Sequence, residues 1–150
     1  MKVIFLDFNG VLDTHENMDV INEDNLLRLK NIVCQTDSSV VISSSLKSSF
    51  YRIGKLSPKL IELINELETN NIKVIGFTPN KKTREEEIMS YLNMHKEITN
   101  YCILDDDYEM ESLKHNLVKL PSQMNENQVG LDDESMNLAI KILKRSGRSI

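Results

Sequence analysis

Five short apolar runs, four stopping abruptly at a polar residue or cluster and the fifth at a proline, constrain this chain more than any other feature. Val3-Ile4-Phe5-Leu6 stops at Asp7, and Val40-Val41-Ile42 runs into Ser43-Ser44-Ser45. Ile72-Lys73-Val74-Ile75-Gly76-Phe77 ends in Thr78-Pro79-Asn80, and Tyr101-Cys102-Ile103-Leu104 in Asp105-Asp106-Asp107. Leu117-Val118-Lys119-Leu120 ends at Pro121. Runs this short, β-branched and apolar on both faces suit strands buried on both sides of a parallel sheet.

Segments of helical period lie between them. Asn22 can cap a helix carrying Leu26, Leu29, Ile32 and Val33 on one face. Ser57-Pro58 starts a helix bearing Leu60, Ile61, Ile64 and Leu67. Thr83 with Glu86 has capping-box spacing ahead of Ile88, Met89 and Leu92. Asp132 opens a last helix with Met136, Ala139, Ile140 and Leu143 on one side, and Lys141, Lys144 and Arg145 near its C-terminal end, where the helix dipole favours cations. Strands alternating with helices predict an α/β fold, a five-stranded parallel sheet between helical layers, in one domain over residues 1–150. The Asn-rich stretch from Ser122 to Asn127 reads as a surface loop, and Ser146 to Ile150 as a frayed tail.

The net charge of −5 argues against broad electrostatic binding to nucleic acid, but leaves room for a local basic pocket. Cys34 and Cys102 both sit in apolar stretches with no ligand or disulfide spacing, and are expected as buried, reduced thiols. The first apolar run meets Asp7 too early for a signal peptide, and no run approaches membrane-spanning length. The expectation is a cytoplasmic protein with no membrane partner.

Ligands of open α/β sheets bind beyond the carboxyl ends of the strands. Asp7, Ser43 to Ser45, Thr78 and Asp105 to Asp107 all fall at such ends. Asp7-Phe8-Asn9-Gly10 presents a carboxylate at a tight turn, with backbone amides free to approach an anion. The second acidic cluster would repel the first unless a cation intervened, and hard oxygen ligands from two loops suit Mg²⁺. His15, His95 and His115 show no ligand spacing and read as surface residues, with His15 alone near the first cluster.

Phe5-Leu6-Asp7-Phe8-Asn9-Gly10-Val11-Leu12 resembles the first motif of the haloacid dehalogenase superfamily, Asp-x-Asp-Gly-(Thr/Val)-Leu after the first strand. Ser43 ends the second strand as the second motif requires, one of Lys81, Lys82 and Arg84 could supply the basic third, and Leu104-Asp105-Asp106 resembles the acidic fourth. Val41-Ile42-Ser43-Ser44-Ser45-Leu46-Lys47, Thr78-Pro79 with Arg84-Glu85-Glu86-Glu87-Ile88, Ile103-Leu104-Asp105-Asp106-Asp107 and Gly130-Leu131-Asp132 are similar to the phosphatase-like domain of Swiss-army-knife RNA repair proteins.

The resemblance implies a Rossmann-like three-layer fold and a Mg²⁺-dependent phosphohydrolase in which Asp7 attacks phosphorus to form an aspartyl-phosphate. Mg²⁺ would be held by Asp7, by the main-chain carbonyl of Asn9 and by Asp106, with Asp105 the second choice. Gly10 and Ser43 or Ser44 would contact the phosphate, Lys82 or Arg84 would stabilise the transferred group, and Lys47 either reaches substrate or is a surface lysine. The family's phosphatases usually carry Asp where this chain has Asn9. An amide neither delivers nor accepts the proton that acid–base catalysis needs, a loss of about 10²–10⁴ in rate. Asn9 therefore marks an engineered trap, a slow phosphatase or phosphoryl carrier, or a pseudoenzyme that binds phosphate without cleaving it. Little chain is spare for a cap domain, so the site should be open to a phosphorylated macromolecular end such as RNA. A receiver-like phosphoacceptor fits less well, because receivers place the acidic pair after the first strand and the phosphoacceptor after the third.

Overall fold

Every apolar run becomes a strand. In the structure, a computed structural model describing residues 1–106 and 110–145, they are β1 (Lys2–Leu6), β2 (Ser38–Ile42), β3 (Val74–Phe77), β4 (Asn100–Asp105) and β5 (Leu117–Lys119). Asp107 and the tail from Ser146, both named above, lie outside the described residues. The strands pair in parallel in the order β3-β2-β1-β4-β5, so β1 is central and the chain reverses direction across it. That reversal opens a crevice at the carboxyl ends of β1 and β4, the usual ligand position in such sheets.

Side chains alternate across the sheet. Ile4, Leu6, Val40, Ile42, Cys102 and Leu104 face one layer, formed by α1 (Glu23–Thr36), α3 (Pro58–Thr69) and α5 (Asp133–Leu143). Val3, Phe5, Val41, Tyr101 and Ile103 face the other, where α4 (Arg84–Met94) contributes Ile88, Tyr91 and Leu92. This is the expected three-layer α/β fold. Each foreseen cap is in place, since Asn22, Ser57, Thr83 and Asp132 accept hydrogen bonds from the amides of Asn25, Leu60, Glu86 and Ser135 at 2.8–3.2 Å. No helix among the described residues is long and apolar enough to cross a membrane.

Three details differ from expectation. A 3₁₀ turn (Ser45–Lys47) and a short helix α2 (Ser48–Ile53) follow β2, in a serine-rich stretch without an apolar stripe. On α3 the buried stripe is Leu60, Leu63 and Leu67 with Ile64 beside it, which rotates Ile61 outward to 45% exposure. Cys34 is exposed because the α1 stripe runs through Ile32 and Thr36, whereas Cys102 is buried in β4 as expected.

The loop after β1 spans residues 7–22 without helix or strand, too little for a cap domain. It is braced from behind by the segment before α5. Leu131 N–H donates to Val11 O at 2.8 Å, and Asn25 Nδ2 donates to the carbonyls of Val11 and Val129. Gly130 sits at φ +73°, and a Cβ there would collide with the carbonyl oxygens of Val11 and Asp13. Gly130→Ala should therefore cost about 2 kcal/mol or more of stability, read as a lowered urea midpoint at unchanged slope. A midpoint equal to that of the unsubstituted protein would show that this brace is not needed.

Candidate active site

The ladder hydrogen bonds continue one residue beyond the strands. Asp7 N–H donates to Leu104 O (3.1 Å), Ser43 N–H to Leu6 O (2.8 Å) and Thr78 N–H to Ile42 O (3.0 Å). Thr78, Ser43, Asp7 and Asp105 thus stand level on four neighbouring strands. Alternation turns Asp7, Ser43 and Asp105 to the sheet face that α4 covers, opposite to Leu6, Ile42 and Leu104. The apolar runs stop here because the row is polar, though it stays buried.

Asp7, Asp105 and Asp106 each bring a carboxylate oxygen to within 4.8 Å of the others. Burial, and after it the charge of Asp105, push the Asp7 carboxyl well above the usual carboxylate range, while Arg84 acts the other way. Asp7 Oδ1 accepts the Phe8 amide at 2.8 Å. Arg84 Nη1 lies 2.7 Å from Asp105 Oδ2 and 3.7 Å from Asp7 Oδ2. Burial alone would lower the guanidinium, but Asp105, Asp7 and Glu87 together hold it above its ordinary value. Asp105 is thereby engaged by Arg84, and Asp106, which accepts the Gln123 amide at 2.8 Å, is the more exposed acid.

Gly10 makes the close approach possible. Its φ of +82° suits glycine, and a Cβ would lie 2.7 Å from Asp106 Oδ2. Asn9 Nδ2 donates to Asp13 Oδ2 and to Asp19 Oδ1, each at 2.8 Å. Asp13 is buried and also accepts the Gly10 and Asp19 amides, at 2.7 and 2.9 Å. Both amide protons of Asn9 are thus spent on carboxylates. Ser43 Oγ and Thr78 Oγ1 are buried with no hydrogen-bond partner among the described residues, while Ser44 Oγ accepts the Leu46 amide and caps the 3₁₀ turn.

Lys47 is not a surface lysine. It is 1% exposed and its Nζ donates to Glu87 Oε1 at 3.0 Å. Burial pulls its ammonium below the usual value, against the hydrogen bond and charge of Glu87. Glu87 also faces Arg84 Nε at 3.5 Å and accepts the Lys81 amide through Oε2 at 3.2 Å. It gathers the basic groups of the site, and sequence reasoning missed it. Its signal was the spacing of Arg84 and Glu87, i and i+3 on one helix face. Asp13, Asp19 and Asn25 were missed too, since their partners come from other loops. Lys82 is exposed and touches none of the three acids. His15 binds Gln123 O through Nδ1 and stays outside the cluster.

A parallel sheet with a carboxylate after its first strand, an acid pair at the end of its fourth and a partly buried basic residue between them fits the haloacid dehalogenase class of α/β proteins. Within it, the chain belongs to the family described as the HAD domain in Swiss Army Knife RNA repair proteins, whose model matches residues 3–136. Membership points to a phosphohydrolase-type domain from an RNA repair setting. Neither the curated proteins nor the solved structures contain a significant match.

The buried Lys47–Glu87 pair gives a direct check. Lys47→Ala leaves a buried carboxylate short of a partner and should cost about 3–5 kcal/mol in urea unfolding. A change within about 0.5 kcal/mol, the usual range for an exposed lysine, would contradict the burial.

Proposed function

We propose that this protein is a Mg²⁺-dependent phosphohydrolase that removes terminal phosphate monoesters from RNA, with Asp7 as the nucleophile. The observation that carries the reading is the convergence of Asp7, Asp105 and Asp106 within 4.8 Å, beside Arg84 and the unpartnered hydroxyl of Ser43. The donor set fits Mg²⁺, because three carboxylates beside a single guanidinium leave negative charge that a hard, oxygen-seeking cation neutralises. Asp7, Asp106 and the main-chain carbonyl of Asn9 would hold it. When bound, the cation supplies positive charge that lets an anionic substrate approach an anionic nucleophile.

The chain's own groups then divide the work. Asp7 forms a bond to phosphorus as the bond to the leaving oxygen breaks, giving an aspartyl-phosphate and a free hydroxyl end. Arg84 and Ser43 face the transferred phosphoryl oxygens, where negative charge is spread in the transition state. Asn9 has no proton to give, so the leaving oxygen takes its proton from water, and the water that later cleaves the aspartyl-phosphate has no base at this position. Both steps proceed, but slowly. The loop after β1 is too short for a cap domain, which supports a macromolecular end as substrate, and the family's RNA repair setting supports RNA as its class. The exposed thiol of Cys34 suits the reducing conditions of the cytoplasm.

Phosphate release from aryl phosphate and from terminally phosphorylated RNA tests the reading. A carboxylate introduced by Asn9→Asp would stand beside Asp13 and Asp19, which favour its protonated form, the form that serves a leaving oxygen. We expect Asn9→Asp to raise turnover by about 10²–10⁴, with Asp7→Asn in that background inactive. An Asn9→Asp protein that binds phosphate and Mg²⁺ yet releases nothing would leave a phosphate-binding domain in place of an enzyme.

A further inference from the structure

The row of strand ends is electrostatically polarised. Asp105 and Asp106 stand on the β4 side of Asp7, whereas the basic residues follow β2 and β3 on the other side, Lys47 after β2 and Lys81, Lys82 and Arg84 after β3. A cleft of about 380 Å³ opens on this basic side, with Arg84 and Glu87 on one wall and Ser45, Ser48, Lys81 and Lys82 around it. Arg84 serves the reacting phosphate. Lys81 and Lys82 make no ion pair among the described residues, although the Lys81 amide is pinned by Glu87, which fixes the loop that carries them. In an acidic protein this is a local excess of positive charge without an internal counterion.

Beside the cleft, α2 presents an aromatic surface. Phe50 and Tyr51 are 38% and 43% exposed, meet edge to face at 5.3 Å, and are anchored by Phe50 on Phe77 of the edge strand β3 at 6.0 Å. Ser48, the first residue of α2, lines the cleft and so joins this aromatic surface to it. Exposed aromatics bordering a basic groove are how single strands are held, bases stacked and backbone phosphates neutralised.

We propose that the cleft is a second phosphate subsite: it takes the phosphodiester adjoining the reacting phosphate of a single-stranded nucleic-acid end, whose base stacks on Phe50 and Tyr51. Substrate therefore leaves the Asp7 site over β2 and β3, away from the acids. The subsite rests on the phosphohydrolase reading only for the identity of the first phosphate.

Binding to the full-length Asp7→Asn protein with Mg²⁺, measured by calorimetry, tests this without turnover. The probes are RNA dinucleotides phosphorylated at either end and the matching nucleoside monophosphates. One dinucleotide should bind about tenfold or more tightly than its monophosphate. Lys81→Ala with Lys82→Ala should abolish that preference and flatten the salt dependence by about one unit of log–log slope. Tyr51→Ala should weaken the dinucleotide several-fold, with Tyr51→Phe restoring it because the ring is kept. Equal affinity for both probe types, or a preference that survives the lysine substitutions, overturns the subsite. A lysine-dependent preference in a protein that turns over none of these nucleotides with Asp7 intact would support the subsite and defeat the phosphatase reading.

Discussion

Three carboxylates held within 4.8 Å of each other at the ends of buried strands repel one another, and much of the surrounding structure answers that repulsion. Arg84 is the nearest answer. From the first turn of α4 its Nη1 binds Asp105 at 2.7 Å and faces Asp7 at 3.7 Å. Among the described residues one guanidinium beside three acids is still a deficit, and the Asp7 carboxyl is raised first by burial and then by the charge of Asp105. A divalent cation would remove that deficit, so in the proposed reading affinity for metal and for a phosphate ester would share one cause.

The guanidinium must itself be held in place. Glu87, a turn further along α4, faces Arg84, binds the buried Lys47 from the turn after β2 and accepts the Lys81 amide from the loop after β3. A single carboxylate thus couples β2, β3 and α4, the three elements that bound the basic side. On the acidic side Gly10 and Gly130 have the matching role. Gly10 admits Asp106, and Gly130 lets the chain before α5 lie against the backbone of the first loop. Asn9 belongs to that loop's internal bonding as well, through Asp13 and Asp19, so its amide is structurally satisfied where it stands.

The strands, the caps and the polar strand ends were legible because each depends on local pattern: apolar runs, capping residues and abrupt polar stops. Asp7, Ser43, Asp105 and Asp106 could be brought together on paper because parallel sheets align their carboxyl ends. What escaped depends on neighbours distant in sequence. Lys47 looks like any surface lysine until Glu87, forty positions later, is packed against it. The exposure of Cys34 and Ile61 turns on one step of helical rotation, about 100° per residue, which apolar counting alone resolves poorly. That Arg84, rather than Lys81 or Lys82, pairs with Asp105 and Asp7 follows from the first turn of α4 lying against β4. The short helix α2 carries no stripe, and it is held by Phe50 against Phe77 and closed by Gly54.

The proposed covalent chemistry at Asp7 should be observable because of Asn9, since hydrolysis of a phosphorylated Asp7 would lack the family's usual base. The protein should be mixed with Mg²⁺ and terminally phosphorylated RNA, quenched in acid, digested and mapped by mass spectrometry. One phosphoryl group on Asp7, labile to hydroxylamine and missing from Asp7→Asn, is the expected result. Phosphate release with Asp7 unmodified at every time point, or persisting in Asp7→Asn, would contradict nucleophilic catalysis by this residue.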